Sequence, residues 1–137
     1  MSTPRGLRNC NPLNIRRSAD KWQGLSAKQE DPAFFSFLGM CYGWRAAFVI
    51  LTRSYYQKRG LNTIRKIVSR WAPNNENNTE GYIKRVSQIS RVAADDVLPD
   101  PKTSPSEWLR IGYAMAVVEN GTTDINVIDM LHGWSLL

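Results

Sequence analysis

Residues 104 to 121 constrain the fold of this chain more than any other stretch. They open with residues that start helices: Ser104 can accept a hydrogen bond from a free amide, Pro105 suits the first helical position, and Glu107 stands where a capping-box carboxylate reaches back. Gly121 marks the end. From Ile111 to Val118 there is no charge and a single phenol, Tyr113, so the helix is apolar on nearly every face and is expected to run through the middle of the domain. Glu119 follows at once. A carboxylate there is disfavoured as an anion twice, by apolar neighbours such as Val118 and by the negative end of the helix dipole, so its pKa is expected to be raised. A carboxyl group kept protonated in this way can protonate a leaving-group oxygen, which is how glycosidases use a glutamic acid. The plain alternative is a helix-end Glu that turns out into water.

At 137 residues the chain (1-137) is expected to form one domain with a core that needs no staples. No run of apolar residues is long enough for a membrane helix, and Met1 to Gly6 lack the apolar centre of a secretory signal. The expectation is a product made in the cytoplasm without a signal peptide, which something else must deliver or release if it acts at the cell wall. The 18 basic residues against 12 acidic ones, net +6, predict attraction to polyanions, either nucleic acid or an anionic wall. The charge is spread along the chain, and no helix-turn-helix or stacking-sheet signature accompanies it, so nucleic acid is not the expected partner. Cys10 and Cys41 lack metal-ligand spacing and share the chain with one histidine, His132. Both read as reduced thiols, and neither a metal nor a cofactor is expected.

The segment Arg5 to Arg17 is dense in Asn, Gly and Pro yet punctuated by Leu7, Leu13 and Ile15, which predicts an ordered loop pinned to the core. Two aromatic-rich runs, Lys21 to Leu25 and Phe34 to Phe37, flank the turn-prone Lys28 to Pro32 and read as a small hairpin. Helical spacing then recurs over Tyr42 to Lys58, ended by Gly60, and over Thr63 to Trp71, capped by Asn62 and ended by Pro73. Another helix starts near Thr79 and carries Tyr82, Ile83, Val86 and Ile89, and Asp124 to His132 reads as a last short helix closed by Gly133. The fold class is therefore mostly α (α+β), a helical body with a small β-hairpin lobe.

This order of elements resembles the lysozyme superfamily, in which a glutamic acid ends a central helix beside a cleft. Asn11-Pro12-Leu13-Asn14-Ile15-Arg16, Trp22 with Gly24, the Phe34 to Phe37 run and the Tyr42 helix are similar to the order in bacterial glucosaminidase domains. Arg5-Gly6-Leu7-Arg8-Asn9 with Asn11-Pro12, Gly43-Trp44-Arg45-Ala46, and Trp71-Ala72-Pro73 with Glu76-Asn77 resemble more closely a family of phage and prophage proteins described as virion structural or lysozyme-like. The resemblance covers roughly the first ninety residues, with one departure. In the glucosaminidases the acid-bearing helix precedes the Asn-rich loop, whereas here only Met1 to Pro4 do. Ala114 to Gly121 resembles the missing helix, which implies a circular permutation.

The resemblance implies a peptidoglycan-directed glycoside hydrolase or lytic transglycosylase of phage or prophage type, acting on glycan strands, virion-associated or released to the wall. Its alternative is a non-catalytic virion or wall-binding protein that retains the fold. Glu119 is the candidate acid. A second carboxylate, if one is used, is expected from the hairpin lobe, where Glu30 and Asp31 stand; Glu76 and Glu80 are further alternatives. Tyr82 offers a stacking face and a hydroxyl to a sugar, or else simply packs beside Ile83 and Val86. Asn11 and Asn14 can bind sugar hydroxyls, although holding the loop backbone is the expected work of at least one. Trp22 and Trp71 can line a cleft or fill the core.

Overall fold

The computed structural model describes residues 3–75 and 77–137, and every element below lies within them. Six α-helices follow one another along the chain: α1 (Arg5–Arg8), α2 (Met40–Val49), α3 (Ile64–Trp71), α4 (Thr79–Ser90), α5 (Pro105–Asn120) and α6 (Val127–Ser135). Between α2 and α3, Ile50–Lys58 continues α2 as a π-helical segment.

Helix α5 is the centre of the molecule, as its composition predicts. Trp108, Ile111, Ala114, Met115 and Ala116 have no solvent exposure. Each of the larger side chains among them contributes about 1.5–3 kcal/mol by leaving water. Helices α1, α4 and α6 all pack on α5. The start of α5 departs from the expected capping box. Ser104 makes no cap to the helix backbone and instead donates its hydroxyl to Glu107 Oε2 at 2.8 Å. The amide that Glu107 would have reached is already bonded to the Asp100 carbonyl at 2.9 Å, which leaves that carboxylate free for the hydroxyl. The Trp108 indole then anchors the first turn on the Pro99 carbonyl at 2.9 Å.

Three of the other helix starts follow short-range chemistry closely. Thr63, rather than the expected Asn62, caps α3 by accepting the Lys66 amide at 3.1 Å, while the Asn62 side-chain oxygen accepts from Lys66 Nζ at 3.2 Å. Ile64, Ile67 and Val68 form the buried face of α3. Asn78 caps α4 through the Gly81 amide, and Asn126 caps α6 through the Asp129 amide. Helix α6 thus begins at Val127, later than the Asp124 start expected, and it runs past Gly133.

Gly133 is a packing residue. An ideal Cβ there would lie 2.8 Å from the Cys41 carbonyl oxygen and 3.0 Å from the Arg45 amide, and would overlap Trp44 Cβ. Its absence lets α6 settle on α2, where Trp44 stacks on Phe48 and Trp134 meets Phe48 edge-on, with centroids 5.4 and 4.9 Å apart.

The small hairpin lobe takes a different form from the one expected. Among the described residues there is no continuous ladder; two isolated antiparallel bridges, Arg16 with Phe34 and Leu25 with Phe37, do the pairing. The stretch from Phe34 to Phe37 is shared between two partners. Phe35 bonds the Ile15 carbonyl at 3.0 Å, whereas Ser36 and Leu38 meet residues 26 and 24. Side chains fill the remaining positions: Gln29 takes both the amide and the carbonyl of Ser36, at 2.7 and 2.8 Å. A segment claimed from both sides and by side chains cannot extend one regular ladder.

No helix among the described residues is long and apolar enough to cross a membrane. Cys10 and Cys41 are both free thiols, and burial pushes the Cys10 thiol up, with the negative charge of Asp129 adding to the shift. Both thiols should therefore titrate fully with a thiol reagent after unfolding without reductant, with Cys10 slow in the folded protein. Replacing Gly133 by Ala tests the packing of α6. In an exposed helix this change stabilises by roughly 0.5–1 kcal/mol, but here overpacking against fixed backbone should lower the urea unfolding free energy by about 1–3 kcal/mol.

Candidate functional site

The N-terminal loop is the first half of the site. Asn11 is fully buried, and its side chain accepts the Ile15 amide at 2.9 Å and donates to the carbonyls of Ile15 and Phe35 at 3.0 and 2.9 Å. These bonds close a tight loop in which Leu13 and Ile15 enter the core, as the Asn, Gly and Pro content predicts. Asn11 is thus committed to backbone and is not brought to the cleft. Asn14 is. It adopts the left-handed conformation, φ 53°, which Asn tolerates better than other side-chain-bearing residues, and this aims its side chain at the end of α5.

The second half of the site is that helix end. Asn14 Nδ2 donates to Glu119 Oε1 at 2.9 Å, and the Tyr82 hydroxyl and Trp71 Nε1 donate to Glu119 Oε2 at 2.9 and 3.3 Å. Next to it, Asn120 Nδ2 donates to the Pro12 carbonyl at 2.8 Å, so the last turn of α5 lies directly against the loop. A loop residue, α3, α4 and α5 therefore converge on one carboxyl group. Burial raises the Glu119 pKa, against the opposing pull of the Asn14, Tyr82 and Trp71 donors and the positive charge of Arg16. Burial, then the adjacent Glu119 charge, push the Tyr82 phenol well above its usual range, so Tyr82 remains a hydrogen-bond donor.

Glu119 opens on a cleft of about 310 Å³ lined also by Arg16, Phe34, Ile50, Tyr55, Trp71 and Asn77. Ile50 and Tyr55 come from the π-helical segment and stand five positions apart, the spacing that a π turn closes. Trp71 meets Tyr55 edge-on with centroids 6.3 Å apart, and the Arg16 guanidinium stands 5.5 Å from the centre of the Phe34 ring. Aromatic faces, amides and a cation around one carboxyl group suit a polar, ring-shaped ligand such as a sugar.

The remaining sequence candidates lie elsewhere. Asp31 does not act as a free carboxylate: Arg5 grips it in a bidentate pair at 2.6 and 2.7 Å, Asn9 adds a bond at 3.0 Å, and it caps the amides of Ala33 and Phe34. The Arg5 guanidinium holds its carboxyl well below the usual carboxylate range. Glu30 is exposed and does not line the cleft. Glu80 is paired with Arg65 at 3.0 Å on the outer surface, and Glu76 falls outside the described residues. Trp22 packs against the core instead of lining the cleft. Sequence reasoning missed Arg16, Phe34, Tyr55, Ile50 and Asn77 as lining residues. No local pattern marked them; even Arg16 follows Asn14, whose left-handed backbone breaks the alternation that would put the two on one face.

No known protein-family profile matches the chain. It is similar, at 38% identity over 133 residues, to Protein P5 of Pseudoalteromonas phage PM2, an alignment spanning 95% of this chain and 79% of the phage protein. At that identity and coverage the two share one architecture, and the chain belongs to the family of phage proteins represented by Protein P5 of phage PM2.

Proposed function

We propose that this is a lysozyme-like, peptidoglycan-directed glycosidase or lytic transglycosylase of phage type, with Glu119 as its general acid. The observation that carries the reading is a half-buried carboxyl group, its pKa raised by desolvation, at the edge of an aromatic and amide-lined cleft. Protonated Glu119 gives its proton to the glycosidic oxygen as the bond from that oxygen to the sugar carbon breaks, and the leaving sugar departs as an alcohol. Water, or a hydroxyl of the substrate itself, then bonds to the electron-poor carbon and returns a proton to the Glu119 carboxylate. Tyr82 and Trp71 hold that carboxylate in one orientation throughout. The contact of Asn120 with Pro12 supports the circular permutation: it sets the acid-bearing helix against the loop that the resemblance expects to follow it. A net charge of +6 favours approach to anionic walls.

A second reading has its own observation. Three donors converge on Glu119, and such a set stabilises the ionised form. If that stabilisation outweighs burial at working pH, Glu119 is a structural anion and the domain is a non-catalytic virion or wall-binding component that keeps the fold.

Zymography on purified cell walls separates the two. The parent should clear the gel, and Glu119→Gln should lower the rate by roughly a hundred- to ten-thousand-fold, the usual worth of a general acid. Full activity in the variant would remove Glu119 from the role, and a parent inert on every wall preparation would favour the non-catalytic reading. Stability gives an independent check. Because the Glu119 pKa is raised in the folded state, its contribution is full below the ordinary carboxylate value and is lost as pH rises through the raised value. The unfolding free energy of Glu119→Gln relative to the parent should therefore rise over that window, since other carboxylates such as Asp31 contribute equally to both proteins.

A further inference from the structure

Three buried side-chain polar atoms among the described residues lack a hydrogen-bond partner: Trp22 Nε1, Asn14 Oδ1 and Asn120 Oδ1. The last two share one small space. A Cβ built on Gly6 would lie 2.7 Å from Asn14 Oδ1, 2.6 Å from Asn120 Oδ1 and 2.8 Å from the Asn11 carbonyl oxygen. Three acceptors thus gather around the Cα of one glycine; the Asn11 carbonyl already accepts the Asn14 amide at 3.0 Å, whereas the two side-chain oxygens have no such partner and face weak C–H donors. Asn120 cannot turn its amide, because its Nδ2 already donates to the carbonyls of Pro12 and Ala116 at 2.8 and 2.9 Å. Asn14 is held less firmly, since the second tie of its Nδ2 is a long one, to the Glu119 carbonyl at 3.5 Å. Its Nδ2 donates to Glu119 Oε1, a bond that fits only while that oxygen carries no proton.

A half-turn of the Asn14 amide exchanges two atoms of nearly equal size. Its Oδ1 then accepts a proton held on Glu119 Oε1, and its Nδ2, with two hydrogens, faces Asn120 Oδ1 and the Asn11 carbonyl. Both orphaned acceptors gain partners in one movement. The other side of the carboxyl favours the proton on Oε1, since the Tyr82 hydroxyl and Trp71 Nε1 both donate to Oε2 and a proton there would disturb that pair. We propose that the Asn14 amide is a two-position element that follows the proton on Glu119, and that Asn120, outside the cleft, is the positioning residue that receives Asn14 when Glu119 is protonated. As the proton leaves, the amide turns back and supplies a donor to the new carboxylate. Gly6 is required because any side chain would fill the space in which the amide turns. The other groups facing Glu119 are Tyr82 from α4, which stays protonated as a donor, Trp71 from α3, and the positive charge of Arg16 from the loop.

This inference rests on the reading of Glu119 as a proton donor, but it is read on the carboxyl itself, so it can fail while wall cleavage is seen and hold while none is. Side-chain NMR of isotope-labelled protein is the test. Cross-relaxation between the Asn14 amide hydrogens and the Gly6 α-hydrogens should appear in the acid form, vanish in the alkaline form, and change with the midpoint at which the Glu119 carboxyl carbon titrates. In Glu119→Gln it should persist at every pH, since the Gln carbonyl keeps Tyr82 and Trp71 while its amide donates to Asn14 Oδ1. Asn120→Ala should lower the Glu119 midpoint by roughly half a unit to one unit, the worth of one hydrogen bond lost from the protonated form alone. If that variant does not fold, the parent and Glu119→Gln decide. An Asn14 signal that is the same at both ends of the titration, or an Asn120→Ala protein with an unchanged midpoint, overturns the proposal.

Discussion

The contact between the last turn of α5 and the N-terminal loop is the interaction on which the rest of the site depends. Asn120 bonds the Pro12 carbonyl and Asn14 bonds Glu119, so residues more than a hundred positions apart are tied within two bonds of each other. These ties hold because α5 is fixed from behind. Its buried face, from Trp108 to Met115, leaves no freedom to slide, and the Asn11 side chain fixes the loop from within. Burial supplies the energy of this arrangement, and the polar bonds supply its register, since each buried bond adds only about 0.5–1.5 kcal/mol in net terms but costs more to leave unmade.

Two opposed effects meet at Glu119. Burial at the end of an apolar helix favours the neutral acid, while three donors and a nearby cation favour the carboxylate. A group that gives up a proton and takes it back needs both, because it has to exist in either state with no more rearrangement around it than the turn of a side-chain amide. A carboxyl group fully saturated by charge, as Asp31 is by Arg5, has only one accessible state and serves as a brace for the Phe34 segment. The same residue type therefore does different work according to whether its partners are neutral donors or a guanidinium.

Much was legible in the sequence. The apolar run from Ile111 to Val118, the Pro105 start and the glycine after Asn120 determined a central helix ending in Glu119, because period, capping and burial act through neighbouring residues. The Asn-rich loop was legible as ordered, and the helices around Ile64 and Tyr82 showed their buried faces, since a 3.6-residue period is a local property. Glu119, Asn14, Tyr82 and Trp71 were all singled out, by residue type and position together with the family resemblance, and these are the four that meet.

What the tertiary structure alone decided concerns partners distant in sequence. Asn11 and Asn14 are the same residue three positions apart, yet one is spent on backbone and the other on Glu119, a difference set by the left-handed turn at Asn14 and the arrival of α5 beside it. Trp22 and Trp71 were equivalent as cleft candidates until folding set both against the core but brought only Trp71 to the acid and the cleft. Phe34 to Phe37 read as one hairpin strand, but it is shared between two partners, and which segment pairs with it depends on loop closure that no local pattern encodes. Helix identity follows from interactions within a few residues, whereas the choice among chemically equivalent Asn, Trp and carboxylate side chains follows from long-range packing, which exists only once the chain has closed around α5.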